Sequence, residues 1–86
     1  MKQPYYELDE STRHIIVELY NKAKELDLGN VSFQYYPTLK SSEEVHFYIT
    51  EYKSYWEIVV AQRWAKTRDI YKLVDGSITY DYSEKD

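Results

Sequence analysis

Val45-His46-Phe47-Tyr48-Ile49-Thr50-Glu51-Tyr52 is the stretch that decides the fold. Side chains of a strand point alternately to its two faces, so Val45, Phe47 and Ile49 share one side and His46, Tyr48, Thr50 and Tyr52 the other. One face is apolar and the other polar and aromatic, as in a sheet covered on one side only. A short turn around Lys53-Ser54 leads into a second run, Tyr55 to Trp64, where Trp56, Ile58, Val60 and Trp64 face one way and Gln62 interrupts. Upstream, Val31-Ser32-Phe33-Gln34-Tyr35-Tyr36 aligns Val31, Phe33 and Tyr35 until Pro37, which cannot donate in a ladder. Residues 37–44 read as a polar loop. Three consecutive strands with short links predict an antiparallel meander packed on a helix.

That helix precedes the strands. Ile16, Leu19, Tyr20, Ala23 and Leu26 recur at three- and four-residue spacing, with Ile15 at the edge of the stripe. Asp9 or Ser11 can cap it, Glu18 and Lys22 form a favourable pair, and Gly29 is expected to stop it in a left-handed conformation. Residues 1–8 form an extended arm that Pro4 keeps out of the helix.

Past Trp64 two readings compete. Thr67 as a cap, Asp69 in a first turn and Gly76 just past the end predict a short helix over Arg68–Val74. Alternatively Ile70–Val74 and Ser77–Tyr82 are strands joined by an Asp75-Gly76 hairpin turn. Ile78, Tyr80 and Tyr82 align in a short strand, and residues 83–86 are expected to fray. The predicted fold class is α+β, one domain over residues 1–86. A long N-terminal helix packs on a three- or four-stranded antiparallel sheet, with a short second helix or hairpin near the C-terminus.

The chain has 86 residues and a net charge of −4, from 11 basic and 15 acidic side chains. This length closes one modest core and leaves no room for a cleft between two domains. There is no cysteine, which excludes disulfides, thiol catalysis and cysteine–zinc sites. The longest apolar runs, Ile15–Val17 and Ile58–Ala61, are far short of a membrane span, and Met1–Tyr6 lacks a signal-peptide core. The expectation is a cytoplasmic protein with no membrane contact. The 11 tyrosines exceed what so small a core can absorb, since each buried hydroxyl needs a partner.

Catalytic patterns are weak throughout. His14 lies on the polar side of the helix and His46 on the outward face of a strand, which separates them as metal ligands. Asp9-Glu10 and Glu43-Glu44 are adjacent pairs on an arm and a loop, read as a helix-start charge and a solubilising loop. No serine sits in a strained elbow, and neither glycine belongs to a phosphate loop. The expectation is a protein that is not an enzyme, with no metal or other cofactor. Arg63, Lys66, Arg68 and Lys72 cluster in sequence, but Asp69 and Asp75 dilute them and the net charge repels phosphate. They read as a solvated strand end, and nucleic-acid binding stays a second alternative.

The outward sheet face carries the functional expectation. Tyrosine there serves strand propensity and cross-strand packing, but it also offers large contact area with little rotamer entropy to lose. Tyr36, Tyr48, Tyr52, Tyr55 and Glu57 are the candidate anchors for a protein partner, with His46 and Arg63 fixing register. Acidic Glu43, Glu44, Glu51 and Glu57 at the edges would suit a basic partner such as a nuclease, another enzyme or a toxin. The first alternative is a homodimer built on the same tyrosines.

One resemblance bears on this. The segment from Val45 to Tyr82 contains a hydrophobic strand, then Tyr55-Trp56-Glu57-Ile58-Val59-Val60, Gln62-Arg63, and Thr67-Arg68-Asp69 opening a short helix. In that order it resembles small immunity proteins of bacterial polymorphic-toxin systems. The family tends to carry an acidic residue and a glycine around the arginine, where this chain has Gln62 and Trp64. Small acidic inhibitors encoded by phages are similar in look. The resemblance implies stoichiometric inhibition without catalysis, in which a toxin or other enzyme has its active or substrate site occluded.

Overall fold

The computed structural model describes residues 3–37 and 43–86. The predicted loop over 37–44 falls mostly on 38–42, outside the described residues. Helix α1 runs from Glu10 to Glu25. Asp9 is the residue that caps it, accepting from the Thr12 amide at 2.7 Å. The C-terminus departs from expectation: Asp27, not Gly29, takes the left-handed conformation, at φ 55°. Leu28 N–H donates to Ala23 O at 2.8 Å and Asp27 N–H to Lys24 O at 3.3 Å, so the helix closes in a Schellman motif two residues earlier. Leu26, counted in the apolar stripe, is consequently exposed.

Five strands follow: β1 (Asn30–Tyr35), β2 (Val45–Glu51), β3 (Trp56–Gln62), β4 (Thr67–Val74) and β5 (Ser77–Lys85). They form one antiparallel sheet in the order β1-β2-β3-β4-β5. The meander is therefore longer than the predicted three or four strands, and the short helix over Arg68–Val74 is a strand. Asp75 and Gly76, with φ of 50° and 80°, make the two-residue turn between the paired residues Val74 and Ser77. The capping signals mislead because β4 lies between β3 and β5, whose ladders satisfy its backbone on both sides. Thr67, Asp69, Tyr71 and Leu73 then point to the core at period two.

Residues 83–85, expected to fray, pair with β4: Ser83 faces Asp69 and Lys85 faces Thr67. A bulge between Ile70 and Tyr71 leaves Asp81 unmatched and bends this edge.

The core lies between α1 and one sheet face. Ile16, Tyr20 and Ala23 pack with Val45, Phe47, Ile49, Trp56, Ile58, Val60, Tyr71 and Leu73. Phe47 is its aromatic centre: Phe33 stacks on it at 4.5 Å between centroids, and Tyr6 and Tyr35 meet it edge-on at 6.2 and 6.3 Å. Tyr20 meets Trp56 edge-on at 5.3 Å. Among the described residues no helix is long and apolar enough to cross a membrane.

The N-terminal arm is held from inside. Asp69, fully buried, accepts from Tyr5 N–H and Tyr6 N–H at 2.8 Å each and from Ser83 Oγ at 2.6 Å. The Tyr80 hydroxyl is 2.6 Å from Ser83 Oγ, and Tyr71 donates to Tyr6 O at 3.3 Å. A residue expected in the first turn of a surface helix is thus the inner clamp for a segment more than sixty residues away.

Burial, with the nearby Asp69 carboxylate as the second cause, pushes the Tyr71 phenol up to about 12. Below pH ~10 Tyr71 is neutral in both the folded and unfolded chain. Between about pH 10 and pH 12 the unfolded chain gives up this proton and the folded chain keeps it, so stability falls. Tyr71→Phe is expected to lose about 2–3 kcal/mol less than the parent over that interval. Urea unfolding at about pH 9 and about pH 12 measures the difference, and parallel losses in both proteins would contradict it.

Candidate functional site

The face turned away from α1 is built from the alternate positions of each strand. Register places Ser32, Tyr48, Val59, Ile70 and Tyr82 in one row across the sheet. A second row runs Gln34, His46, Ala61, Arg68 and Glu84, and a third Asn30, Thr50, Glu57, Lys72 and Thr79. Ile70 is only 4 % exposed although, among the described residues, no helix covers this side. Its neighbours on the sheet close over it, so the middle row is a small apolar floor in which Val59 is the aliphatic side chain left partly open. Tyr48 and Tyr82 stay exposed on either side of that floor.

His46 and Tyr48, two residues apart on β2, lie nearly parallel with centroids 6.2 Å apart. They border two grooves. One, of about 530 Å³, is lined by Ser32, Phe33 and Gln34. The other, of about 560 Å³, runs over Val59, Ala61, Gln62 and Thr67 to Arg63, Lys66, Arg68 and Asp86. His46 Nε2 is 3.0 Å from Glu44 Oε1 without the alignment of a hydrogen bond.

The opposite end of the face is a second aromatic cluster. Tyr52 and Tyr55 stack at 5.5 Å across the β2–β3 turn, where Tyr52 N–H donates to Tyr55 O at 2.9 Å. The Lys72 ammonium sits 5.0 Å above the Tyr55 ring and 3.9 Å from Asp81. Glu57 stands opposite Lys72 in register. Desolvation, followed by the carboxylates of Glu84, Glu57 and Asp81, raises the Tyr82 phenol above its ordinary value.

The predicted site residues are therefore only partly together. His46, Tyr48 and Arg63 line one groove, while Tyr52, Tyr55 and Glu57 belong to the other end. Tyr36 is exposed just past β1 and lines none of the grooves described here.

Trp64 is the principal correction. Expected to face inward with Trp56, Ile58 and Val60, it stands 76 % exposed in the turn that follows β3. That turn, Arg63–Lys66, is closed by Lys66 N–H donating to Arg63 O at 3.2 Å, with Lys66 itself left-handed at φ 53°. Ending the strand at Gln62 breaks the alternation that would have carried Trp64 inside. Behind the turn, Tyr6, Pro37, Glu43, Glu44, Val45, Gln62, Trp64 and Ala65 line a groove of about 320 Å³. Trp64 thus lines the groove with two glutamates, while its sequence neighbour Arg63 lines the groove with three cations.

His14 is 3.5 Å from Glu18 on the exposed side of α1, remote in the fold from His46. Among the described residues no three histidines or carboxylates are grouped to hold a metal ion. Compared with known protein families, curated proteins and solved structures, the chain matches none.

Proposed function

We propose that this chain is a stoichiometric protein-binding domain that docks a partner on its open sheet face. In the immunity-like form implied by the resemblance, it inhibits a toxin or other enzyme by occluding the active or substrate site. The observation that carries the reading is the exposed aromatic series Tyr48, Tyr82 and Tyr52 beside a small apolar floor, with Trp64 exposed in the adjoining turn after β3. Large aromatics at the rim of a desolvatable patch are the usual anchors of protein interfaces. The sheet is rigid, so few side chains lose freedom on docking. Glu43 and Glu44 beside Trp64 supply carboxylates for the cations of a basic enzyme.

The test is affinity capture from the native host's lysate after nuclease treatment, followed by titration of the captured enzyme. Activity falling linearly to zero at one equivalent supports the reading. A captured partner whose activity is unchanged at saturation removes inhibition.

A homodimer is supported by a different feature. β1, an edge of the described sheet, reads Asn-Val-Ser-Phe-Gln-Tyr with no charge or proline along it. Uncharged edges are templates for strand pairing. Light scattering that shows a mass rising with concentration favours this reading, and a constant monomer mass removes it.

A further inference from the structure

We propose that the groove between His46 and Arg68 accepts an acidic peptide segment, the carboxylates of a partner protein seating on Arg63, Lys66 and Arg68. This rests on the protein-binding reading and names the chemistry that one end of the face recognises. The chain carries a net charge of −4, yet three cations converge on this groove. Among the described residues none of the three is in an ion pair. Glu84 is opposite Arg68 in register but forms no ion pair with it. Asp86, whose N–H donates to Lys66 O at 3.0 Å, is the single acidic residue among the described lining residues. Cations left unpaired around a concavity focus a positive field there, and guanidinium groups match the carboxylate fork.

The groove's size, about 560 Å³, is that of sites enclosing a few side chains rather than a folded surface. Val59 and Ala61 keep its floor low and apolar, so the stems of glutamate or aspartate can lie along it while their carboxylates reach the rim. Tyr48 closes one side with a ring and a hydroxyl. The occupant is a peptide rather than a nucleic acid because the positive field is local. A polyanion leaving the groove meets Glu44 beside His46, Glu84 beside Arg68, and Glu57 and Asp81 further along the sheet. A short acidic segment seated on Arg63, Lys66 and Arg68 need not run on along the sheet to Glu57 and Asp81.

The experiment is an amide-shift titration of the full chain with a hexaglutamate peptide at low ionic strength. An oligothymidylate of matched charge and inorganic phosphate serve as parallel probes. The expected result is saturable shifts at His46, Ala61, Arg63, Lys66 and Arg68 with the peptide. Affinity should fall at least tenfold in the Arg63→Gln, Arg68→Gln double variant and stay unchanged in Lys22→Gln on α1. Circular dichroism shows that each variant is folded. Absence of shifts at the groove, equal peptide affinity in the double variant, or tighter binding of oligothymidylate or phosphate overturns the proposal. Loss of partner capture by Trp64→Ala, at a residue outside this groove, is read separately, so protein docking survives if only the groove assignment fails.

Discussion

Asp69→Ala is expected to destabilise the domain by about 3–5 kcal/mol, a large part of the ~5–15 kcal/mol that holds a small domain together. The carboxylate is fully buried and takes the amides of Tyr5 and Tyr6 on its two oxygens, with Ser83 Oγ on one of them. Removing it leaves the Tyr5 and Tyr6 amides without their acceptor in a part-buried site, at about 1–3 kcal/mol each, while Ser83 Oγ keeps the Tyr80 hydroxyl. It also detaches the arm that carries Tyr6 to the edge of Phe47. Asp69→Asn keeps the volume but turns a donor amide toward at least one of these donors, so it should recover only part of the loss. Ser83→Ala should cost about 1 kcal/mol, because Asp69 keeps both backbone partners. Urea unfolding followed by circular dichroism measures all three. A loss under about 1 kcal/mol for Asp69→Ala would show that the arm contributes nothing, as would Tyr5 and Tyr6 amides that exchange as fast as those of an open chain.

The second large effect is expected at the interface. Trp64→Ala should weaken partner binding by about 2 kcal/mol or more, and Tyr48→Ala by at least ~1 kcal/mol, with neither altering the unfolding midpoint appreciably. Trp64 is exposed in the turn and Tyr48 on the outer row, so truncation removes contact area from the surface and no volume from the core. The two differ in magnitude because tryptophan buries more area on docking and is the more exposed in the free chain. His14→Ala, on the far side of α1, is the control and should leave affinity unchanged. Calorimetric titration of the captured partner provides the numbers. Full affinity in both variants would falsify the assignment of this face.

The boundary between what was legible in the residues and what was not follows a physical line. Period-two alternation in Val45–Tyr52 and the three-and-four spacing of Ile16, Tyr20 and Ala23 are local statements about which side of an element is apolar. The sheet and helix obey them. The Asp75-Gly76 hairpin was also legible, since two successive left-handed residues suit asparagine, aspartate and glycine. The competing helix over Arg68–Val74 had slightly the stronger local support, from capping signals at both of its ends. Only the ladders of β3 and β5 on either side of β4 decided against it.

Of the candidate site, alternation placed His46, Tyr48 and Glu57 on the face away from the helix, where register puts them. It misplaced Trp64, because a strand's end is set by where its partner turns and not by its own pattern. Arg63, Lys66 and Arg68 looked like a solvated strand end. Their meeting with His46 around one groove depends on the β2–β3–β4 register. Asp69 shows the limit most clearly: its partners are Tyr5, Tyr6 and Ser83, so no window of neighbouring residues contains the reason for its burial. The sequence by itself determined the layers and the polarity of their faces, because periodicity acts between near neighbours. The tertiary structure alone decided which charges meet and which aromatics stay outside, because those depend on contacts between segments far apart in the chain.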